Sequence, residues 1–153
     1  MTESTTRTEE PEFTITPGYG DWLRKELHYS QAVRIGDRVE ISGQGGWSEE
    51  FEFPESLEEE IVRAFDNVGR TLATAGASWH DVVAMDSFHV PTAPDTIGED
   101  HTRTMVEQMR LRLGDRAPIW TQIGVPALGA PGMRVEIRVT AHLAAKHDQP
   151  ASA

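Results

Sequence analysis

The chain has 153 residues, 38% of them hydrophobic, no cysteine, and a formal net charge of -11. That length suits one compact domain able to bury a core without covalent staples, and the absence of thiols excludes a disulfide framework, a thiolate nucleophile and any zinc site not built from His and carboxylate ligands. The acidity is dispersed apart from a dense run at Glu49 to Glu60; it repels phosphate backbones, so nucleic acid is not an expected partner.

Residues 1–12, MTESTTRTEEPE, are polar, charged and without the apolar centre of a secretory signal, and are expected to form a disordered tail. No apolar run approaches bilayer-spanning length, so the expectation is a cytoplasmic protein with no membrane partner. Phe13 to Leu27 mixes Phe13, Ile15, Tyr19, Trp22 and Leu23 with Pro17, Gly18 and Gly20, which predicts an irregular segment and about one helical turn. Its aromatics are read as packing onto the domain rather than as a cofactor box.

HYSQAVRIGDRVEISGQGGW, from His28 to Trp47, predicts a hairpin: Val33 and Ile35 alternate before Gly36-Asp37, and Val39 and Ile41 after it. Gly43, Gly45 and Gly46 then interrupt the second strand and permit a close backbone approach. Their spacing matches neither a P-loop nor a dinucleotide fingerprint. Ser56-Leu57-Glu58-Glu59 reads as a capping box, and Ile61, Ala64, Phe65, Val68 and Leu72 recur at helical spacing up to Gly76. Asp81 to Val90 predicts a strand ended by Pro91 and Pro94. Thr96 to Glu99 can cap a second helix, with a stripe of Met105, Val106, Met109 and Leu113 ended by Gly114.

The last two strands lie between Pro118 and Leu143. In a strand, successive side chains take opposite faces, so Trp120 and Gln122 share one side while Ile119, Thr121 and Ile123 share the other. Beyond the Pro/Gly-rich connection, Glu136, Arg138, Thr140 and His142 alternate with Val135, Ile137, Val139 and Ala141. The greasy face belongs to a core; the polar one needs a ligand, a neighbouring subunit or water. The order is thus ββαβαββ, an α+β single domain with a mixed sheet and two helices on one face. The uncovered sheet face argues for self-assembly with closed symmetry. The domain is expected over residues 13–145, with a second disordered tail at 146–153.

Three blocks carry a resemblance: YSQAVRIGDRVEISGQ at Tyr29 to Gln44, AFDNVGRTLATAGASWHDVV at Ala64 to Val83, and PIWTQIGVPALGAPGMRVEIRVTAHL to Leu143. Together they resemble the Rid family of YjgF-like proteins, named for reactive-intermediate deaminases. The resemblance implies a chorismate-mutase-like fold, a homotrimer with a barrel-like core and small-molecule pockets between subunits. It also implies that Tyr29 and Glu136 are the pocket's catalytic groups, Glu136 positioning or activating water. Deaminating members carry an arginine at the place of Trp120 and commonly a cysteine at that of Gln122. An indole has no bidentate fork for a carboxylate, so the resemblance implies the pocket without the 2-iminoacid substrate.

The remaining candidates follow from position. Trp120 and Gln122 are expected to bind substrate beside Glu136, and Trp47 to form a pocket wall or pack structurally. Arg138 either binds ligand or pairs with Glu136. His28 and His101 are the histidines expected to reach the pocket, and the six histidines show no HxH or HExxH spacing, so neither a metal nor another cofactor is expected. Ser42 is read as satisfying a backbone group rather than as a nucleophile. Two functions remain open: an enzyme acting on an imine, enamine or enol-like intermediate by general acid/base chemistry, and a non-catalytic trimer that binds a metabolite or scaffolds a partner. The family's endoribonuclease label is the weakest reading for so acidic a chain.

Overall fold

Strand β7 (Val135–His142) runs through the middle of a seven-stranded sheet. The computed structural model describes residues 9–143. In chain order the elements are β1 (Glu12–Thr14), α1 (Tyr19–Leu27), β2 (Ala32–Ile35), β3 (Arg38–Ile41), β4 (Gln44–Gly45), α2 (Leu57–Thr74), a 3-10 turn (Trp79–Asp81), β5 (Val82–His89), α3 (Glu99–Leu113), β6 (Ile119–Gly124) and β7. The sheet order is β1-β2-β3-β7-β5-β6, with β4 also on β7. Pairing is antiparallel except between β5 and β6, which α3 connects.

The ββαβαββ order is present as β2, β3, α2, β5, α3, β6 and β7, with β1, α1 and β4 added to it. Of the expected tails, residues 1–8 and 146–153 lie outside the described residues, and Glu12 already opens β1. The predicted single turn near Tyr19 is in fact a nine-residue helix. It forms because Tyr19 and Leu23, one turn apart, are buried with Trp47 and Met133 in a second cluster, and Tyr19 donates its hydroxyl hydrogen to Gln44 Oε1 at 2.6 Å.

Helix α2 starts as the sequence predicts, with Ser56 Oγ accepting from Glu59 N at 3.2 Å. It ends where Gly76, at φ 79, lets Ala77 N reach Leu72 O. Ile61, Ala64, Phe65, Val68 and Leu72 are all buried against Val39, Ile41, Met85, Val135, Ile137, Val139 and Ala141 of the sheet. Each large side chain there contributes roughly 1.5 to 3 kcal/mol before entropy. The start of α3 differs from expectation. Its N-cap is Gly98 at φ 111 with no side-chain cap, because Thr96 is held in a turn by its N–H to Ala93 O.

The opposite face of the sheet carries no helix of the α2–α3 layer. Register places Phe13, Val33, Glu40, Thr140, Ala84 and Ile119 in one row across it, with Phe13 67% and Ile119 75% exposed. Apolar residues this exposed at both ends of a sheet leave the face unfinished in the single chain.

One buried ion pair anchors β7 to the helix layer. Glu60, fully buried on α2, accepts from Arg134 N at 2.7 Å, Arg134 Nε at 2.8 Å and Val135 N at 3.3 Å. Replacing Glu60 by Ala strands two backbone donors and a guanidinium, and is expected to cost about 3 kcal/mol, the low end for breaking a buried pair because Arg134 keeps some solvent. Urea unfolding of Glu60→Ala against the parent checks this, and a loss under about 1 kcal/mol would show the anchor to be dispensable.

Candidate functional site

The hairpin β2–β3, the end of α1 and β7 enclose a groove of about 750 Å³ on the open side of the sheet. Its walls include Arg24, His28, Tyr29, Glu40, Ser42, Gly43 and Arg138. The segment after α1 is fixed by buried Gln31, whose Oε1 accepts from Thr16 N at 2.9 Å and whose Nε2 donates to Tyr29 O at 3.3 Å. Ser42 N donates to Gln31 O at 2.8 Å, and Ser42 Oγ donates to the same oxygen at 3.4 Å. The serine therefore serves the backbone.

Between Glu40 and Gln44 the register against β7 slips by one residue, from Glu40↔Thr140 to Gln44↔Ile137. The slip brings Gly43 against Glu136: a Cβ at position 43 would lie 2.2 Å from Glu136 Oε1. Glycine is what makes room for this carboxyl. Glu136 is half-buried, and burial pushes its carboxyl above the usual carboxylate range. Among the described residues it has neither ion pair nor hydrogen bond, since Arg138 turns instead to Glu40 at 3.8 Å. The Tyr29 phenol is pushed up by burial first, then by the Glu136 carboxylate and by Tyr19. A half-buried acid beside a tyrosine hydroxyl can exchange protons with a small ligand.

Trp120 is not in this groove. Parallel pairing sets Trp120 beside Met85, which pairs with buried Val139, whereas Glu136 pairs with Phe88, which lies beside Ile123. Side chains in register share a face, so the indole and the acid of one chain are on opposite faces of its sheet, and within the single chain Trp120 does not lie beside Glu136. The indole packs against the main core. Its Nε1–H donates to Ser87 Oγ at 2.8 Å, so its single donor is already used. Gln122, on the same face, meets Thr102 of α3 at 3.3 Å in a separate cleft.

Trp47 takes the structural one of its two expected roles, and the expectation that His101 reaches the pocket is corrected. Trp47 is buried in the α1 cluster, edge-on to Tyr19 at 5.6 Å, and lines no part of the groove. His101 is buried on α3 behind Trp120, where His101 Nδ1 lies 2.9 Å from His89 Nδ1 and His89 Nε2 lies 2.8 Å from Ser87 Oγ. The two rings meet edge to face. One Nδ1 carries the proton and the other accepts it, so the accepting ring is neutral in this arrangement. Burial and then the charge of His101 push His89 down to about 4, and burial followed by Arg134 lowers His101.

His28 does line the groove, and it ends α1 in the left-handed region at φ 58, ψ 45. Sequence reasoning missed Arg24 and Glu40 in the groove, and Ser87 with His89 behind Trp120, and it marked Gly43 only as a close backbone approach. The one signal for them was a glycine-broken strand whose outward side chains are polar. Among the described residues, no group of three or more His, Asp or Glu side chains is arranged to hold a metal ion, and no helix is long and apolar enough to cross a membrane.

Comparison with known proteins adds the following. The profile of a family described as endoribonuclease L-PSP matches residues 22–143. The RutC family protein YjgH of Escherichia coli (strain K12) is 35% identical over 121 residues, 79% of this chain and 87% of its own. A solved structure of YjgH superposes with a TM-score of 0.68 at 28% identity, over 89% of this chain and 95% of the other. RidA from an Antarctic Psychrobacter bacterium superposes with a TM-score of 0.64 at 29% identity, over 74% and 87%.

Two outcomes follow from the geometry. Non-glycine residues lose stability in the left-handed region, so His28→Gly is expected to gain about 0.5 to 1 kcal/mol and to melt roughly 1 to 4 °C higher, while weakening whatever the groove binds. A rise in melting temperature with unchanged ligand affinity would reduce His28 to an ordinary helix end. For the buried histidines, an unfolded chain takes up protons below about pH 6.5 that folded His89 refuses until about 4. Stability therefore falls with pH across that window, by on the order of 3 kcal/mol from His89 alone. Urea midpoints between pH 7 and 4 should show a clearly shallower acid loss in His89→Gln than in the parent.

Proposed function

The chain belongs to the endoribonuclease L-PSP family, the YjgF/Rid family, and from that premise we propose that it is a cytoplasmic enzyme of small-molecule intermediates, assembled as a homotrimer. The substrate class is an imine, enamine or enol-like compound. Its catalytic groups are Glu136 and Tyr29, and His28 and Arg138 contact the ligand. Trp120 and Gln122 join the site only through assembly, when the β6 edge of one copy meets the groove of another and offers the indole's apolar surface.

For an imine, Glu136 takes a proton from water as the oxygen adds to the imine carbon, and the C=N π electrons go to nitrogen. Glu136 returns that proton to the nitrogen, giving a carbinolamine; the hydroxyl proton then passes by way of Glu136 to the same nitrogen as the C=O π bond forms and the C–N bond breaks, releasing a carbonyl compound and an amine or ammonia. Tyr29 holds the nitrogen or the incoming oxygen by its hydroxyl. The observation that supports this reading is the Glu136 carboxyl: half-buried, raised by burial, without a hydrogen bond or ion pair among the described residues, set against Gly43 of the groove wall and near enough to Tyr29 to push its phenol up. Glu60, a structural acid buried more deeply, is bonded.

A specific observation favours the second reading, a trimer that binds a metabolite without transforming it: the Trp120 donor is committed to Ser87 and offers a ligand nothing but surface. Hydrolysis of RNA, which the family's description suggests, is opposed by the formal charge of -11. Glu136→Gln separates these. It keeps size and hydrogen bonding but cannot take a proton, and is expected to lower turnover of a generated imine by about 100- to 10,000-fold, with the trimer mass by light scattering unchanged. Equal turnover in parent and variant would leave the binder, and RNA cleavage by the parent would replace the small-molecule reading altogether.

A further inference from the structure

From Met85 onward the inward positions of β5 are Met85, Ser87 and His89, and the last two are polar yet fully buried. Valine or leucine would pack there with no polar group to desolvate. Ser87 and His89 are therefore kept for their hydrogen bonds, and those bonds run in one direction. Trp120 Nε1–H can only donate, so Ser87 Oγ accepts it, at 2.8 Å. Burial and then the charge of His101 hold His89 down to about 4, so at neutral pH its ring carries one proton.

Were that proton on Nε2, Ser87 Oγ would accept twice and its own hydrogen would have no acceptor among the described residues. A buried donor left unmatched is costly. The proton therefore sits on Nδ1: Ser87 Oγ donates to His89 Nε2 at 2.8 Å, and His89 Nδ1 donates to His101 Nδ1 at 2.9 Å. His101 then keeps its own proton on Nε2, available to the Val90 carbonyl with which it hydrogen-bonds. Three hydrogen bonds of one polarity thus join Trp120 on β6, through β5, to His101 on α3. A serine hydroxyl with one partner can rotate; held between an indole and an imidazole, it cannot.

We propose that Ser87, His89 and His101 are positioning residues for Trp120, a one-way relay that holds the half-buried indole at the β6 edge in the orientation in which it meets the flat, apolar part of a ligand. This rests on Trp120 being a wall of the assembled site. Strand β6 is at the sheet edge with β5 as its neighbour, so no second strand steadies the ring from the other side. Its core contact leaves it room to tilt, and the hydrogen bond to Ser87 removes that freedom. Helix α3, which contributes no atom to the indole's hydrogen bond, governs it through His101.

The test reads the indole N–H resonances of the full chain, which has four tryptophans, with Trp120→Phe assigning the one that belongs to Trp120. Ser87→Ala and His101→Leu should each move that resonance and speed its exchange with solvent about tenfold, the worth of one hydrogen bond. His101→Asn, whose Oδ1 falls where Nδ1 accepts, should restore it, which a merely space-filling histidine would not allow. Ser87→Ala carries the test if His101→Leu does not fold. Benzamide, planar, uncharged and unreactive, serves as the ligand probe. The parent is expected to bind it with a shift at Trp120, Ser87→Ala and His101→Leu to bind about tenfold more weakly, and His101→Asn to match the parent. A Trp120 resonance indifferent to Ser87→Ala, no recovery in His101→Asn, or benzamide binding that is absent or equal throughout overturns the proposal. Glu136→Gln keeps the two readings separate: benzamide affinity that follows the relay while Glu136→Gln turns over a generated imine normally sinks the catalytic reading and leaves this one standing. Loss of turnover in Glu136→Gln with benzamide affinity indifferent to the relay does the reverse.

Discussion

A strand can bury only every other side chain, and β7 obeys that constraint at the centre of the sheet. Val135, Ile137, Val139 and Ala141 are buried beneath α2 and the helix layer, which obliges Glu136, Arg138 and Thr140 to stand on the other face. The helix layer supplies the stability and the open face carries the polar side chains. Glu60 locks the phase, because its carboxylate grips the backbone at Arg134 and Val135 where β7 begins. A slip of one residue would bury Glu136 and Arg138 in the core and expose the valines.

The groove follows from that phase and from one irregularity. A regular β3–β7 ladder continued past Ile41 would carry a side chain where the Glu136 carboxyl now sits. The one-residue slip and the bare Cα of Gly43 remove that obstacle. The result is an acid desolvated enough to be raised by burial, near enough to Tyr29 to push the phenol up as well, and beyond the reach of a neutralising cation. His28 is held in the left-handed region at the same wall. Local strain and an unbonded carboxyl in one place mark a site kept for something other than stability.

The back of the sheet answers a different requirement. Trp120, Ser87, His89 and His101 form a hydrogen-bonded row under α3 in which every ring is buried or half-buried, and a neutral imidazole pair satisfies its own polar atoms. That row gives the indole a fixed orientation and removes its donor from circulation. The indole at the β6 edge and the acid beside Gly43 therefore stand on opposite faces of one sheet, and Phe13, Ile119 and Ile123 are exposed on the open face.

Periodicity read from the chain alone determined the long elements: the alternation of β7, the amphipathic α2 from Ser56 to Gly76, the Gly36-Asp37 hairpin, the end of α3 at Gly114, and with them the fold class. It also set Glu136 on the polar face, whereas Tyr29 came only from the resemblance to the Rid family. What it could not supply was any relation between elements remote in sequence. Helix α1 exists because Tyr19 and Leu23 find Trp47 and Met133, and neither partner is visible in the local pattern. Likewise, alternation states which residues of β6 share a face, but the pairing of β5 with both β6 and β7 decides that Trp120 sides with Val139 and not with Glu136. Strand periodicity leaves the choice of face open, and only inter-strand hydrogen bonds between distant segments, driven by burial of one face against the helices, resolve it.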